Sequence, residues 1–290
     1  MKKHTIGTFN AAVAAMSYGT NPLFAIPMLN LGIGVNSVLF YRYFLATVIY
    51  FFWLKFVKKM SLKVTKTQVL HLFMISVVFA LSSLLLFDAF NYMPSGLACT
   101  ILFIYPIFVA LIACLFGQEK INSKVIIAMC FTTFGIFSLY NGEINLNLKG
   151  VGLVLLSGLC YAIYMVVLKS LKSLRLLKSE VLSFYVMLLG LSVYIVNLKF
   201  CTELQMLKSP LSICCALGLA ILPTIISLET IAIGIRLIGA TKTAVIGALE
   251  PLTALFFGVL IFKEIITIKI IFGIILIFIG VNIVIFNKKA

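Results

Sequence analysis

The chain has 290 residues, of which 63% are hydrophobic and 11% are charged, and its mean hydropathy is +1.20. Soluble domains have about 45–50% apolar and about 25% charged residues, so this composition excludes a soluble globular protein. The formal net charge of +15 would suggest nucleic-acid binding in a soluble chain. In a chain this apolar it instead indicates an integral membrane protein with basic loops, and no nucleic-acid partner is expected.

Apolar runs divide the chain into ten predicted transmembrane helices. A helix needs about 20 apolar residues to cross the hydrocarbon core of a bilayer. Runs of about this length lie at residues 7–27, 37–57, 68–91, 95–116, 123–140, 150–169, 180–199, 211–234, 240–262 and 267–286. Little of the chain lies outside them, so the predicted fold is all-α and integral to the membrane. The first run follows two lysines as in a signal peptide, but its length, Asn10 and Asn21 favour a retained helix.

Basic residues are unevenly distributed between alternate loops. If the N-terminus lies in the cytoplasm, most lysines and arginines fall on the cytoplasmic side. The opposite side then holds only Lys149, Lys199, Lys208, Lys263 and Lys269. Cytoplasmic loops of membrane proteins carry an excess of lysine and arginine. We therefore predict a multi-pass membrane protein that contacts lipid and has both termini in the cytoplasm. A monomer or a homodimer is expected.

The two halves of the chain repeat one pattern of residues. Four less common residues recur half a chain later in the same order and spacing, as Pro106/Pro251, Glu119/Glu264, Lys124/Lys269 and Gly135/Gly280. Gly7 and Tyr18 in the first predicted helix match Gly150 and Tyr161 in the sixth in a similar way. The pattern predicts two five-helix repeats, at residues 1–145 and 146–290. Because five is an odd number of spans, the two copies must be inverted with respect to each other.

Glu250 lies in the middle of the ninth predicted helix, where an ionisable group is costly and needs a partner or a function. Its equivalent in the first half is Tyr105, so one repeat offers a carboxylate where the other offers a phenol. Such a difference suits the binding of an asymmetric solute. We predict that Glu250 binds substrate and is a candidate to carry a proton. The alternative is a buried acid that only holds its helix in place.

Two further charged residues are predicted to contribute to substrate binding. Glu229 lies near the cytoplasmic end of the eighth predicted helix, where it could carry a proton, bind a cationic group or simply reach the interface. Arg42 begins the second predicted helix near the outer face. The simpler interpretation is that its side chain snorkels to the interface. The alternative is that it pairs with Asp88 or with an anionic substrate.

Prolines and aromatic residues complete the predicted site. A proline inside a helix removes one backbone hydrogen bond and bends the helix. Pro106 and Pro251 are therefore predicted to act as symmetry-related hinges in the fourth and ninth helices. A cavity wall able to hold an organic solute is predicted from Tyr18, Asn21, Tyr105, Tyr161 and Tyr164.

These residues resemble a known family of membrane proteins, the drug/metabolite transporter superfamily, and most of all its EamA branch of bacterial permeases. Each half has a helix with the pattern Pro-x(12)-Glu, followed by a final helix that carries glycine. The matching stretches are Tyr105-Pro106 to Glu119 with Gly135, and Glu250-Pro251 to Glu264 with Gly273 and Gly280. Arg42 is similar to the family's Arg-led second helix. The chain departs from the family at Tyr18, where tryptophan is common, and at Gln118 and Lys263, where glycine often precedes the glutamate.

The resemblance implies a secondary transporter that moves small organic metabolites such as amino acids by alternating access. It implies export or exchange across a bacterial plasma (inner) membrane, with export favoured, and it does not identify the solute or a coupling ion. Glu119 and Glu264 match the family's glutamate, and at helix ends we expect structural roles for them. A facilitative, channel-like permease is the alternative.

Other function classes have little support in the sequence. The acids are scattered and the two histidines lie near loops, so a membrane-embedded transferase is disfavoured. The seven cysteines show no CxxC or Cys/His metal spacing. No phosphate-binding loop is present for nucleotide-driven transport. We predict that the chain is not an enzyme and uses no metal or other cofactor.

Overall fold

The computed structural model describes residues 2–93, 95–119, 122–139, 147–262 and 267–286, and within them the regular secondary structure is entirely helical. Two spans contain a π-helical turn, at Trp53–Val57 and at Ile221–Ile226. In chain order the α-helices are α1 (Lys2–Tyr18), α2 (Asn21–Asn30), α3 (Val35–Phe52), α4 (Lys66–Ala89), α5 (Ser95–Leu102), α6 (Tyr105–Leu115), α7 (Ser123–Leu139), α8 (Leu148–Ser170), α9 (Lys172–Arg175), α10 (Ser179–Asn197), α11 (Pro210–Ala220), α12 (Ser227–Ile238), α13 (Ala240–Ile246), α14 (Leu249–Phe262) and α15 (Ile268–Phe286).

Eight helical segments of the described ranges are long and apolar enough to cross a membrane. They are Val35–Val57, Lys66–Ala89, Leu97–Leu115, Leu148–Ser170, Ser179–Asn197, Pro210–Ile238, Ala240–Ile261 and Ile268–Phe286. The fifth predicted span corresponds to α7, which has only 17 residues, and the first is divided between α1 and α2. The chain is thus an all-helical, multi-pass membrane protein, but the predicted number of ten spans is not confirmed. Lys263 and Glu264 lie outside the described residues.

Three of the predicted spans are broken near their middle. The breaks lie at residues 19–20, 103–104 and 247–248, and the last two lie within one residue of equivalent positions of the sequence repeat. Pro106 and Pro251 lie in the first turn of the helices that follow, α6 and α14. A proline costs little there, because the N–H groups of a first turn have no helical partner. Each proline therefore lies at the start of a new helix and not inside a continuous one, and its action as a hinge stays a prediction.

Glycines bring α7 and α15 into close contact. A Cβ atom on Gly135 would lie 2.8 Å from the carbonyl oxygen of Gly273, and one on Gly280 would lie 2.7 Å from that of Ala128. A methyl group does not fit at either position, so the two backbones approach each other only because these residues are glycine. The repeat-related glycines Gly135 and Gly280 therefore lie in one interface, formed by the last predicted helix of each half.

The first helix packs against the second half of the chain. Helix α1 lies on α12, where the Ser227 hydroxyl donates to the carbonyl of Ala14 at 3.1 Å and Gly234 lies against Ala11. Helix α6 packs on α8 and on α13. These contacts between the halves place the broken spans next to each other in the centre of the molecule.

Candidate functional site

A small cavity lies where the broken spans meet. Its volume is about 10 Å³, which is room for about one water molecule. Both halves of the chain contribute to its wall, which consists of Ala11, Ala14, Ala15, Tyr18, Tyr105, Tyr161, Ser227, Ile231, Thr243, Gly247 and Glu250. Four of the residues predicted from the sequence thus come together here, namely Tyr18, Tyr105, Tyr161 and Glu250.

Glu250 reaches the cavity because the ninth predicted span is broken next to it. Helix α14 begins one residue earlier, at Leu249, so the carboxyl group lies in a first turn whose N–H groups have no helical partners. Gly19, at the break of the first span, packs against the backbone of Glu250, because a Cβ atom on Gly19 would collide with the carbonyl oxygen of Glu250. Neither of the two ion pairs within the described ranges, Lys169–Glu119 and Lys199–Glu203, involves Glu250.

Tyr105 and Tyr161 form the aromatic wall, one from each half. Their ring centroids are 4.9 Å apart in an edge-on arrangement. The Tyr105 hydroxyl donates to the carbonyl of Ala244 at 3.1 Å, and Gly247 leaves room for it because a Cβ atom would occupy the position of that hydroxyl. Tyr105 therefore connects α6 with α13 across the two halves at the edge of the cavity.

Tyr164 and Asn21 do not line the cavity. Tyr164 is fully buried, its ring is 4.7 Å from that of Phe79, and its hydroxyl has no hydrogen-bond partner among the described residues. Asn21 begins α2, and its buried Oδ1 likewise has no partner in the described ranges. Both residues lie close along the chain to residues of the wall, but their participation in binding stays a prediction.

Arg42 is buried inside the protein, so the simpler interpretation, that its side chain snorkels to the interface, does not fit, and its role in substrate binding stays a prediction. The side chain is only 1% exposed. Its Nε donates to Thr224 Oγ1 at 2.7 Å and its Nη2 donates to the carbonyl of Pro223 at 2.9 Å. The proline-containing π-helical turn thus supplies both acceptors of Arg42. The alternative partner Asp88 is exposed and accepts a hydrogen bond from Asn91.

Glu229 lies outside the cavity. Ser227 and Ile231, which line the cavity, lie four residues apart on one face of α12, and Glu229 lies between them in sequence and so on the opposite face. Its Oε2 accepts a hydrogen bond from the Tyr50 hydroxyl at 2.5 Å. The structure therefore separates this acid from Glu250, and a role of Glu229 in substrate binding stays a prediction.

Glu119 has the structural role expected of it. It follows α6 and accepts hydrogen bonds from the backbone N–H of Ala240 at 2.8 Å and of Thr241 at 3.3 Å, so it caps α13. Lys169 donates to the same carboxylate at 2.6 Å. Burial by itself would raise the pKa of Glu119, but the hydrogen bonds from Lys169, Thr241 and Ala240 lower the pKa below its ordinary value. The carboxylate is therefore ionised at neutral pH.

Several residues of the cavity wall were not predicted from the sequence. Ala11, Ala14 and Ala15 recur on one face of α1 at helical spacing, which was the available signal, but small residues at that spacing indicate helix packing equally well. A wider groove on the outer face of α15 is almost wholly apolar and suits lipid chains better than a polar solute. Within the described ranges no group of three His, Cys, Asp or Glu side chains could hold a metal ion.

Comparisons with known proteins agree with this architecture. The sequence profile of the EamA-like transporter family matches residues 5–141 and again residues 148–286. A solved structure described only as "Crystal structure of protein" superimposes with a TM-score of 0.81 at 15% sequence identity, covering 96% of this chain and 95% of the other. At this identity the likeness shows a shared fold alone. No curated protein sequence matches the chain.

Proposed function

Because the chain belongs to the EamA-like transporter family, we propose that it is a secondary transporter, and specifically an exporter, of small organic metabolites such as amino acids. It works by alternating access across a bacterial plasma membrane, with both termini in the cytoplasm. The ten spans form two inverted five-helix repeats in this proposal. No enzymatic activity and no cofactor are part of it.

The observation that carries the proposal is the cavity at the breaks of three spans. Tyr18, Tyr105, Tyr161 and Glu250 line it, and broken helices at membrane depth are typical of transporter substrate sites. Unpaired backbone at this depth is tolerated only where it is buried in protein or lines a cavity. With room for about one water molecule, the cavity corresponds to a closed conformation that has to open before a solute enters.

The positions of the two prolines support alternating access. The breaks before Pro106 and Pro251 lie within one residue of equivalent positions of the repeat, so the same movement is available to both halves. In this proposal the four broken half-helices turn about these points, and the cavity opens to one side of the membrane at a time. Arg42, Asn21, Tyr164 and Glu229 are assigned to substrate binding in the opened conformations.

Glu250 is the proposed proton-coupling residue. A carboxylate without an ion-pair partner is costly at membrane depth, and either a proton or a cationic group of the solute can compensate it. If Glu250 served only to hold α14 in place, the protein would be a facilitative permease without coupling.

The test is the transport of labelled amino acids into proteoliposomes, with and without a pH gradient, for the wild type and for Glu250→Gln. We expect Glu250→Gln to reduce gradient-driven transport to the level of protein-free liposomes while counterflow persists, since glutamine keeps the polarity and cannot release a proton. Glu203→Gln, which alters an exposed acid paired with Lys199, is the matched control. Loss of both transport modes in a folded Glu250→Gln protein would assign Glu250 to solute binding alone. Unchanged transport in both modes would reject the proposed site.

A further inference from the structure

Arg42 is a buried cation without an ion-pair partner in the described part of the chain. Its side chain is 1% exposed, and neither ion pair among the described residues includes it. It lies about 10 Å along its helix from Val35, well inside the span Val35–Val57. A buried charge that lacks a counter-charge is strongly destabilising. No acid within the described ranges forms a direct ion pair with Arg42, so a position next to its guanidinium group is open to an anion.

The guanidinium group is fixed in place by two of its three nitrogen atoms. Nε and Nη2 donate to Thr224 Oγ1 and to the carbonyl of Pro223. Thr224 is itself held, because its hydroxyl donates to the carbonyl of Leu219 at 2.7 Å, the acceptor that Pro223 leaves without a helical donor. The third nitrogen, Nη1, is buried and has no hydrogen-bond partner within the described ranges, although the guanidinium group lies over the rings of Tyr18 and Tyr43. Among the described residues, a rigid, charged donor is therefore left without an acceptor.

This free donor lies next to the cavity wall. The guanidinium carbon of Arg42 is 5.2 Å from the centre of the Tyr18 ring, and Tyr18 lines the cavity. Arg42 and Glu250 are close enough for their charges to interact, and both interact with Tyr18. Two opposite charges thus flank one tyrosine, and neither forms an ion pair within the described ranges.

We propose that Nη1 of Arg42 binds the carboxylate of the transported solute, so that the protein selects solutes that carry a carboxylate over their amides and amines. This inference rests on the proposed transport function and adds the chemical group by which the solute is recognised. Arg42 does not line the closed cavity, so the Tyr18 side chain moves aside when the solute binds. A carboxylate supplies both the missing hydrogen-bond acceptor and the missing counter-charge. An amide supplies only an acceptor, and an amine supplies neither.

The experiment uses the purified full-length chain and matched solutes. Each common L-amino acid is tested as the free acid, as its carboxamide and as the decarboxylated amine, which share one side chain. The first measurement is the thermal stabilisation of the detergent-solubilised protein by each solute, and the second is counterflow in proteoliposomes. We expect at least one acid to bind about 10- to 100-fold more tightly than its amide, because a hydrogen bond to a charged group is lost.

Variants separate binding by Arg42 from its structural contacts. Arg42→Gln is expected to abolish the preference for the acid over the amide. Thr224→Val removes the hydroxyl that accepts from Nε, so it weakens the same helix contact but leaves the charge and Nη1 in place. It is expected to lower stability and to keep the preference. If Arg42→Gln does not fold, Arg42→Lys, which retains the charge, is used in its place. The wild-type comparison of acid with amide still tests whether the protein prefers a carboxylate.

The possible results distinguish this inference from the transport proposal. Stabilisation by acids without counterflow would support the carboxylate site and reject transport of these solutes. Counterflow of amides and amines as good as that of the acids would reject the carboxylate site and leave transport standing. If no acid binds and no acid is transported, the inference is overturned as well. An acid preference that survives in Arg42→Gln would also overturn it.

Discussion

Glu119 is the residue through which the end of α6 holds the start of α13. Three donors from the second half of the chain, Lys169 and the N–H groups of Ala240 and Thr241, converge on its carboxylate. Gly239 makes the approach possible, since its φ of +94° favours glycine and a Cβ atom there would collide with the Glu119 carboxylate. A single acid thus fixes the two halves to each other at one end of the molecule.

Glu119→Gln should destabilise the protein by about 1 kcal/mol at neutral pH, because the charge at the helix N-terminus and the ion pair are lost. The pKa of Glu119 is lowered in the folded protein. Its contribution is therefore fully present above the ordinary glutamate pKa of about 4.3 and is lost as the pH falls through the lower folded value. Hydrogen exchange of the Ala240 and Thr241 amides, measured against pH, checks this. The difference in amide exchange between wild type and Glu119→Gln should disappear in acid. A difference that stays constant with pH would contradict the assignment. So would an equal change of exchange in the control variant Glu203→Gln.

Among the helices, α7 and α15 show most directly how the repeat shapes the fold. Gly135, Gly273 and Gly280 allow the two backbones to approach closely, and a Cβ atom on Gly273 would lie 2.6 Å from the Gly135 carbonyl oxygen. By contrast, a Cβ atom on Gly152 in α8 would meet no atom within 4 Å. The same change of glycine to alanine should therefore have opposite effects at these two positions.

Gly273→Ala should lower the free energy of unfolding by about 1–3 kcal/mol, because the added methyl group forces the helices apart. Gly152→Ala should raise it by about 0.5–1 kcal/mol, since alanine loses less conformational entropy than glycine on entering a helix. Unfolding by sodium dodecyl sulfate, followed by far-ultraviolet circular dichroism, measures both. Equal effects of the two substitutions would show that α7 and α15 do not pack as described.

The sequence predicted the elements better than it predicted where their side chains face. The pairs Gly135/Gly280 and Pro106/Pro251 marked an interface and two equivalent breaks, because glycine and proline act on the backbone, which the repeat conserves. Arg42 and Glu229 were harder to interpret. Distance from a helix end gives the depth of a residue, but the acceptor for Arg42 Nη2 is the carbonyl group of Pro223, which lies 181 residues further along the chain. Such long-range contacts leave no local pattern.

For the whole molecule, the distribution of lysine and arginine predicts the orientation in the membrane. Both termini and the segment around Lys55–Lys66 are expected in the cytoplasm, and the connection after Asn197 on the opposite side. Short peptide tags at either terminus should be labelled only after the membrane of intact cells or spheroplasts is permeabilised. A tag inserted next to Thr202 should be labelled without permeabilisation. Labelling of a terminal tag on intact cells would show the opposite orientation and would contradict the proposed direction of export.

Helix α13 is too short to exist alone. It has seven residues, all of them buried, and it lies between Gly239 and the break at Gly247. Isolated helices shorter than about 12 residues are marginal in water, so α13 keeps its form only while it is packed against a neighbour. Its polar contacts at both ends, from Glu119 and Tyr105, go to the same partner, the span that contains α6. A movement that separated α6 from α13 would therefore break the hydrogen bonds at both ends of α13, so the first half of the chain is tied to the second through this short helix.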